Sequence, residues 1–258
     1  MRKAAETIAL RIWDGVRAVY PLLLLLVVWE LVARAGLVRP LFLPPVSVVL
    51  ERLYVTATDG ELWPPLLTSL YRSAAGLVLA AAVGIPIGFL VVRNRFVAWF
   101  VDPLVAFGSP APKLALIPVF TLWFGIDNLS KIMLVALTTV FPFMLSAVAG
   151  ARTVALNQIW AARAMGSSEA TLLWRIVLRA ALPSLMSGLR VAVPTALLTT
   201  FTAEMVAGGG LGGALIMAQR YFESATVYAY LLVMLICGYL FDVELLRLRR
   251  KVLHWYEG

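Results

Sequence analysis

Cysteine and histidine are almost missing from this chain, with one of each in 258 residues. The lone Cys237 has no internal partner for a disulfide, so cysteine usage does not report a redox compartment. His254 stands four residues from the C-terminus, which leaves no histidine for chemistry inside an apolar run. Charge is scarce as well, at 14% of residues. No GxxxxGK[ST] run occurs, so the chain has no phosphate-cradling loop of the kind that holds ATP. A GxSxG elbow is also lacking, which with the missing internal histidine argues against an intramembrane protease or another enzyme. No catalytic residue and no metal-ligand set is expected.

What the chain has in excess is apolar length. Hydrophobic residues make up 62%, against roughly 45–50% in a soluble domain, and mean hydropathy is +0.90. Such a chain is a polytopic membrane protein. Its length allows one membrane domain, residues 19–258, after a cytoplasmic amphipathic segment at 1–18. The net charge of +8 does not point to nucleic acid. Most of the 22 lysines and arginines fall in four short segments. These hold Arg2, Lys3, Arg11 and Arg17; Arg93 and Arg95; Arg152, Arg163, Arg175 and Arg179; and Arg247, Arg249, Arg250 and Lys251. Clusters between apolar runs mark cytoplasmic loops and place both termini inside.

Six spans follow from the apolar runs. Val19 to Ala33 reads as span 1, an uncleaved signal anchor. Gly36 to Pro65, rich in proline, reads as an external segment with one short helix at Val46 to Tyr54. Ser69 to Val92 is span 2, where Gly76, Gly84 and Gly88 permit close helix approach. Asp102 to Phe124 carries Pro103, Pro110, Pro112 and Pro118 and reads as a broken span 3 lining a cavity. Asp127 to Lys131 forms an outer turn, and Ile132 to Val148 is span 4, kinked at Pro142. Leu182 to Val206 is span 5, Gly208 to Gly213 a loop, and Val227 to Leu240 the core of span 6.

Between spans 4 and 5 lies a polar island, Asn157 to Pro183, within a loop at 151–181. Asn157 can cap a short helix carrying Ile159, Trp160 and Met165. Gly166 suits the left-handed residue that ends it. Ser167 or Ser168 can cap a second short helix, with Glu169 near its positive end. On that helix Arg175 and Arg179 share a stripe opposite Leu172, Leu173, Ile176 and Val177. The pattern AAxxxG, then Ile and Leu, then LP, resembles the EAA loop of permease subunits of bacterial ATP-binding-cassette (ABC) importers. Ala161, Ala162, Gly166, Ile176, Leu178, Leu182 and Pro183 fit it. Trp160 stands where the family's glutamate usually is, and Arg179 where a first proline often follows the leucine. LFLPPVSVV and PAPKLALIPVFTLWFGI are similar to the nitrate, sulfonate and taurine branch, and the GLG at Gly210 to Gly212 is similar to the permease family's loop after span 5.

The resemblance implies an all-α membrane protein of six transmembrane helices, of the type I ABC importer permease kind, with cytoplasmic coupling helices. It implies a coupling loop built on Trp160, Ala161, Ala162, Arg163, Ala164, Gly166, Ser167, Ile176, Leu178 and Pro183. Implied partners are a second copy of the chain, two ATPase subunits that bind ATP and magnesium, an extracytoplasmic substrate-binding protein and membrane lipid. The chain itself would carry no cofactor, and its place would be the bacterial inner membrane. Without the resemblance, the loop reads as an interfacial helix pair joining two spans, and a secondary transporter or channel stands as the second reading.

Ionisable groups inside spans are candidates for the path, since each costs about 2.5–3.5 kcal/mol to insert. Lys113 in the broken span attracts most interest, with Ser109, Thr199 and Glu204 as further lining candidates. Lys113 could draw an anion, snorkel or pair with Asp102. Arg72 and Arg190 read as snorkelling residues, Glu204 as a gate, interface or interfacially solvated group.

Overall fold

A computed structural model describes residues 20–254, and every regular element among them is helical. The expected amphipathic segment at 1–18 lies outside the described residues. The helices are α1 (20–34), α2 (Val46–Thr58), α3 (Trp63–Arg93), α4 (Arg95–Gly108), α5 (Ile117–Phe124) and α6 (Asn128–Arg152). They continue with α7 (Leu156–Ala164), α8 (Glu169–Ala207), α9 (Gly210–Arg220) and α10 (Ser224–Val252).

Among the described residues four helices are long and apolar enough to cross a membrane: α3, α6, α8 and α10. A fifth span arises if α4 and the stretch Lys113–Phe124, bent by 92° at their junction, count as one. That bend is the broken span the prolines predicted. It starts earlier than expected, because Asn94 caps α4 by accepting from Phe96 N–H at 2.9 Å and Val97 N–H at 3.4 Å. Of span 1 the described helix is residues 20–34.

Several helices outrun their expected limits. Trp63, Pro64 and Pro65 belong to α3 and not to the external segment, because proline fits a helix's first turn, where its missing N–H is not needed. The turn before α6 ends at Asp127, and Lys131 is buried within the helix. The second loop helix is not separate. From Glu169 the chain stays helical to Ala207, through a π turn at Leu172–Val177 in which Leu178 N–H reaches Leu173 O. The glycine loop shrinks to Gly208 and Gly209, since α9 begins at Gly210.

The chain divides into two compact units, residues 1–61 with 215–232, and 62–214 with 233–258. In the first, the proline-rich stretch is pinned by polar contacts. Trp29 donates to Pro44 O at 3.0 Å, and the Tyr228 hydroxyl to Phe42 O at 2.8 Å. Glu30 accepts from Ser47 N–H at 3.1 Å, so a carboxylate sits at the positive end of α2, whose cap residue Pro45 offers no side-chain bond.

The second unit is built on α3, α6 and α8. Gly76, Ala80, Gly84 and Gly88 recur every fourth residue of α3 and bring it against α6. A Cβ at Gly84 would lie 2.7 Å from Val140 O, and one at Gly88 2.6 Å from Met144 O. On the other side of α6, a Cβ at Gly150 would lie 2.7 Å from Ala181 Cβ and one at Gly188 2.2 Å from Ser146 Oγ. Apolar lipid offers no hydrophobic drive for helices to associate, so close backbone packing supplies the attraction. Ala80, Ala136, Phe143 and Ala192 fill one cluster between these helices, and Ile117, Phe120, Leu134 and Ala203 a second that joins α5 to α6 and α8.

Candidate functional site

The loop between α6 and α8 takes its shape from local backbone bonds. Its first helix starts at Leu156 with Ala155 as the capping position; Asn157 does not cap it, because its side chain accepts from the adjacent Gln158 N–H instead. The helix ends as expected at Gly166, which has φ +78°. Gly166 N–H donates to Arg163 O at 2.9 Å and Ser167 N–H to Ala162 O at 3.0 Å, the paired bonds of a left-handed helix stop. Ser168 caps α8, its hydroxyl accepting from Thr171 N–H at 3.2 Å.

Burial within the loop is uneven. Ala162 is buried, and so is Leu172, while Ile176 and Leu178 are half-buried. Ala161, Arg163, Ala164, Arg175 and Arg179 are exposed, as are three large apolar side chains: Trp160, Met165 and Trp174, at 65%, 79% and 66%. Pro183 continues inside α8.

Glu169 holds the loop to the end of α3. It meets Arg163 Nη2 at 3.0 Å and Arg93 Nη2 at 2.9 Å. The sequence placed Glu169 at a helix start but gave no partner for it. All three side chains are about half exposed, so each pair is worth about 1 kcal/mol or less after solvent screening. Arg93→Gln should therefore shift the thermal midpoint of the detergent-purified protein by no more than about 4 °C. A larger loss would mean that the pair carries more of the fold than its exposure allows.

At the bend between α4 and α5, Lys113 turns back on the chain. Its ammonium donates to Ser109 O at 2.6 Å and sits 4.9 Å from the centre of the Phe141 ring. It thus caps the carbonyl end of α4, a negative helix terminus, and not the Asp102 carboxylate. Ser109 lines a groove of about 510 Å³ with Ser146, Ser184, Ser187, Pro142 and Gly188. The groove's lining includes four serines and no charged residue, and Lys113 touches it only through its bond to the Ser109 carbonyl. A second groove, of about 330 Å³, is lined only by apolar residues such as Leu79, Phe120 and Val140.

Thr199 and Glu204 do not reach either groove, being 2% and 0% exposed within the helix packing. Glu204 accepts from Arg72 Nη1 at 2.7 Å, the Ser69 hydroxyl at 2.7 Å and Gly212 N–H at 3.1 Å. Arg72 is itself buried and donates from Nε to Asn128 Oδ1 at 2.8 Å, so it does not snorkel. Arg190 does not stand alone either, since it pairs with Asp242 of α10 at 3.2 Å. Lys131, the other buried cation among the described residues, reaches the carbonyl oxygens of Ile126 and Asp127. Nothing local in the sequence marks Ser69, Asn128, Lys131 or Asp242, whose roles come from distant partners or from the end of a helix.

Comparison with known proteins places these features in context. A family profile described as binding-protein-dependent transport system inner membrane component matches residues 80–254. The chain is similar to the taurine transport system permease protein TauC of Escherichia coli, at 36% identity over 91% of this chain and 88% of the relative. It is also similar to the putative aliphatic sulfonates transport permease protein SsuC of Bacillus subtilis, at 32% identity over 91% and 86%. Among solved structures, an inward facing conformation of the MetNI methionine ABC transporter matches with a TM-score of 0.64. It is 19% identical and covers 72% of this chain and 93% of that one.

Proposed function

Because the chain belongs to the family of binding-protein-dependent transport system inner membrane components, we propose that it is the membrane-spanning subunit of an ATP-driven importer for a small anionic solute, of the sulfonate or taurine class. The observation that carries this reading is the loop at Leu156 to Thr171. A helix stopped by Gly166 leaves Trp160 and Met165 uncovered by the described chain, an apolar pair open to a partner surface. An ATPase surface that buried them would gain about 2 kcal/mol for each. The loop's bonds to Arg93 and to α8 then carry its displacement into the spans.

ATP and magnesium belong to that separate subunit, and two ATPase copies act on two copies of this chain. A binding protein delivers solute at the opposite face. Copurification tests the reading: the cognate ATPase should stay bound to the detergent-solubilised chain, and Trp160→Ser with Met165→Ser should release it. An ATPase that never associates with the wild-type chain would overturn the proposal.

The relatives named for taurine and sulfonates, and the serine-lined groove, support an anion path past Ser109. The ammonium of Lys113 is bonded to the carbonyl of Ser109, a residue of that groove, and its positive charge suits a sulfonate. Lys113→Met should lower uptake about tenfold or more, the worth of one charge-assisted hydrogen bond, whereas Lys113→Arg should stay within about threefold of wild type. Equal uptake by all three would make Lys113 only a cap for α4.

The basic residues Arg93, Arg95, Arg163, Arg175 and Arg179 fall at the loop end of the helices, which supports placing that end inside the cell. In a Cys237→Ser background, cysteines at Asn94 and Ser168 should react with an impermeant thiol reagent only after permeabilisation, and one at Asp127 in intact cells. Labelling of Ser168→Cys from outside would reverse the orientation.

A further inference from the structure

A carboxylate with no exposure must be solvated by the protein alone, and in a bilayer interior the demand is greater. Glu204 meets it with donors from two elements: α3, through Arg72 and Ser69, and the start of α9, through Gly212 N–H; one bond further, Leu211 N–H donates to Ser69 Oγ at 2.8 Å. Arg72 extends the network to Asn128 at the start of α6. The glycine run beside it is shaped to the same group. A Cβ at Gly210, where φ is +59°, would lie 2.0 Å from Glu204 Oε1, and one at Gly209 3.1 Å from Arg72 Nη2. No phosphate or sugar is needed to explain those glycines. The carboxylate occupies their space.

The position of this cluster matters. Arg72 lies about 30 Å along α3 from Arg93 at 1.5 Å per residue, roughly the thickness of a bilayer core. One end of α3 is bonded to the coupling loop, and the other to α6, α8 and α9 through a buried charge pair. Next to that pair, Ser73 Oγ and Thr200 Oγ1 meet at 2.8 Å.

Resting on the importer reading above, we propose that Glu204 is a positioning residue for transport: with Arg72 it clamps α3, α6, α8 and the start of α9 together, so that they move as one lever when the coupling loop is displaced. The solute then passes along the outer faces of this lever and never between α3 and α8. Without the clamp, loop displacement is absorbed by splaying of the far ends of α3 and α8, and hydrolysis continues without transport.

The experiment uses the whole complex, with its ATPase and binding protein, reconstituted in liposomes. Glu204→Gln keeps the shape of the side chain but leaves the Arg72 charge unpaired. At equal amounts of assembled complex, uptake should fall tenfold or more while ATP hydrolysis stays within twofold of its basal rate and no longer responds to loaded binding protein. Uptake and hydrolysis that fall in parallel, or that both stay at wild type, overturn the proposal. A second arm does not depend on that variant folding. With Cys237→Ser, the pair Ser73→Cys and Thr200→Cys should oxidise to a disulfide equally well in the resting and in the vanadate-trapped state, and the crosslinked complex should transport within twofold of its reduced form. A crosslink that forms in neither state or in only one, or that stops transport reversibly, overturns it. Wild-type uptake that needs no ATP would instead overturn the importer reading, so the two failures are distinct.

Discussion

Replacement of Gly84 by leucine is expected to prevent α3 from seating on α6 and to remove the folded protein from the membrane fraction. The reason is geometric. Even the first carbon of a side chain there would approach Val140 O to 2.7 Å, and the neighbour is backbone in a helix that cannot swing aside. Two further glycines of the same stripe, Gly76 and Gly88, face contacts of 2.5 and 2.6 Å, so the helix has no room to slide along its partner. Overpacking of this kind costs about 3 kcal/mol or more, a large share of a stability that totals about 5–15 kcal/mol. Gly84→Ala should show a smaller loss in the same direction. Gly238→Ala, whose Cβ meets nothing within 4 Å, should be tolerated. Size-exclusion profiles after heating in detergent separate the three, and a wild-type profile for Gly84→Leu would mean that α3 and α6 are not packed as described.

Gly166→Val is expected to give the opposite phenotype, a protein that inserts and folds but loses its ATPase. No atom would lie within 4 Å of a Cβ at Gly166, so no clash opposes the change. The backbone does. At φ +78° a β-branched residue costs about 1–2 kcal/mol, enough to move the chain out of its left-handed turn and to break the Gly166 and Ser167 bonds that stop α7. The exposed Trp160 and Met165 would then face elsewhere. ATPase retention should fall about tenfold, with substrate-stimulated hydrolysis lost in reconstituted vesicles. Ala161→Asp, exposed on the same helix, should act alike by burying an unpaired charge in the contact, whereas Asp59→Asn should do neither. Wild-type behaviour of Gly166→Val and Ala161→Asp in both assays would reduce the loop to a connector.

Features fixed by one or two neighbouring residues were the ones legible in the sequence. Gly166 could be assigned because a left-handed stop after an apolar helix is local chemistry. The Gly76, Gly84 and Gly88 spacing told of close packing before its partner was known, and the prolines of 103–118 told of a bend. What depended on a distant residue was missed. Arg72 and Glu204 were each read as solitary charges, one snorkelling and one open to several roles, although antiparallel spans bring opposite charges at matched depth together. For Lys113 the sequence offers Asp102 as a partner, whereas the fold gives it the carbonyl of Ser109. The continuity of α8 was hidden by its composition: Arg175 and Arg179 read as a surface helix, yet nothing between Ser168 and Gly208 stops the chain, and Pro183 and Pro194 are accommodated inside it.

Uptake by proteoliposomes tests the central claim most directly. The chain reconstituted with its ATPase and binding protein should accumulate labelled taurine or an alkanesulfonate, only with ATP inside the compartment that holds the ATPase, and only with binding protein on the other side. Uptake by the chain alone, driven by an ion gradient or by no gradient at all, would contradict the account and make it a secondary transporter or channel.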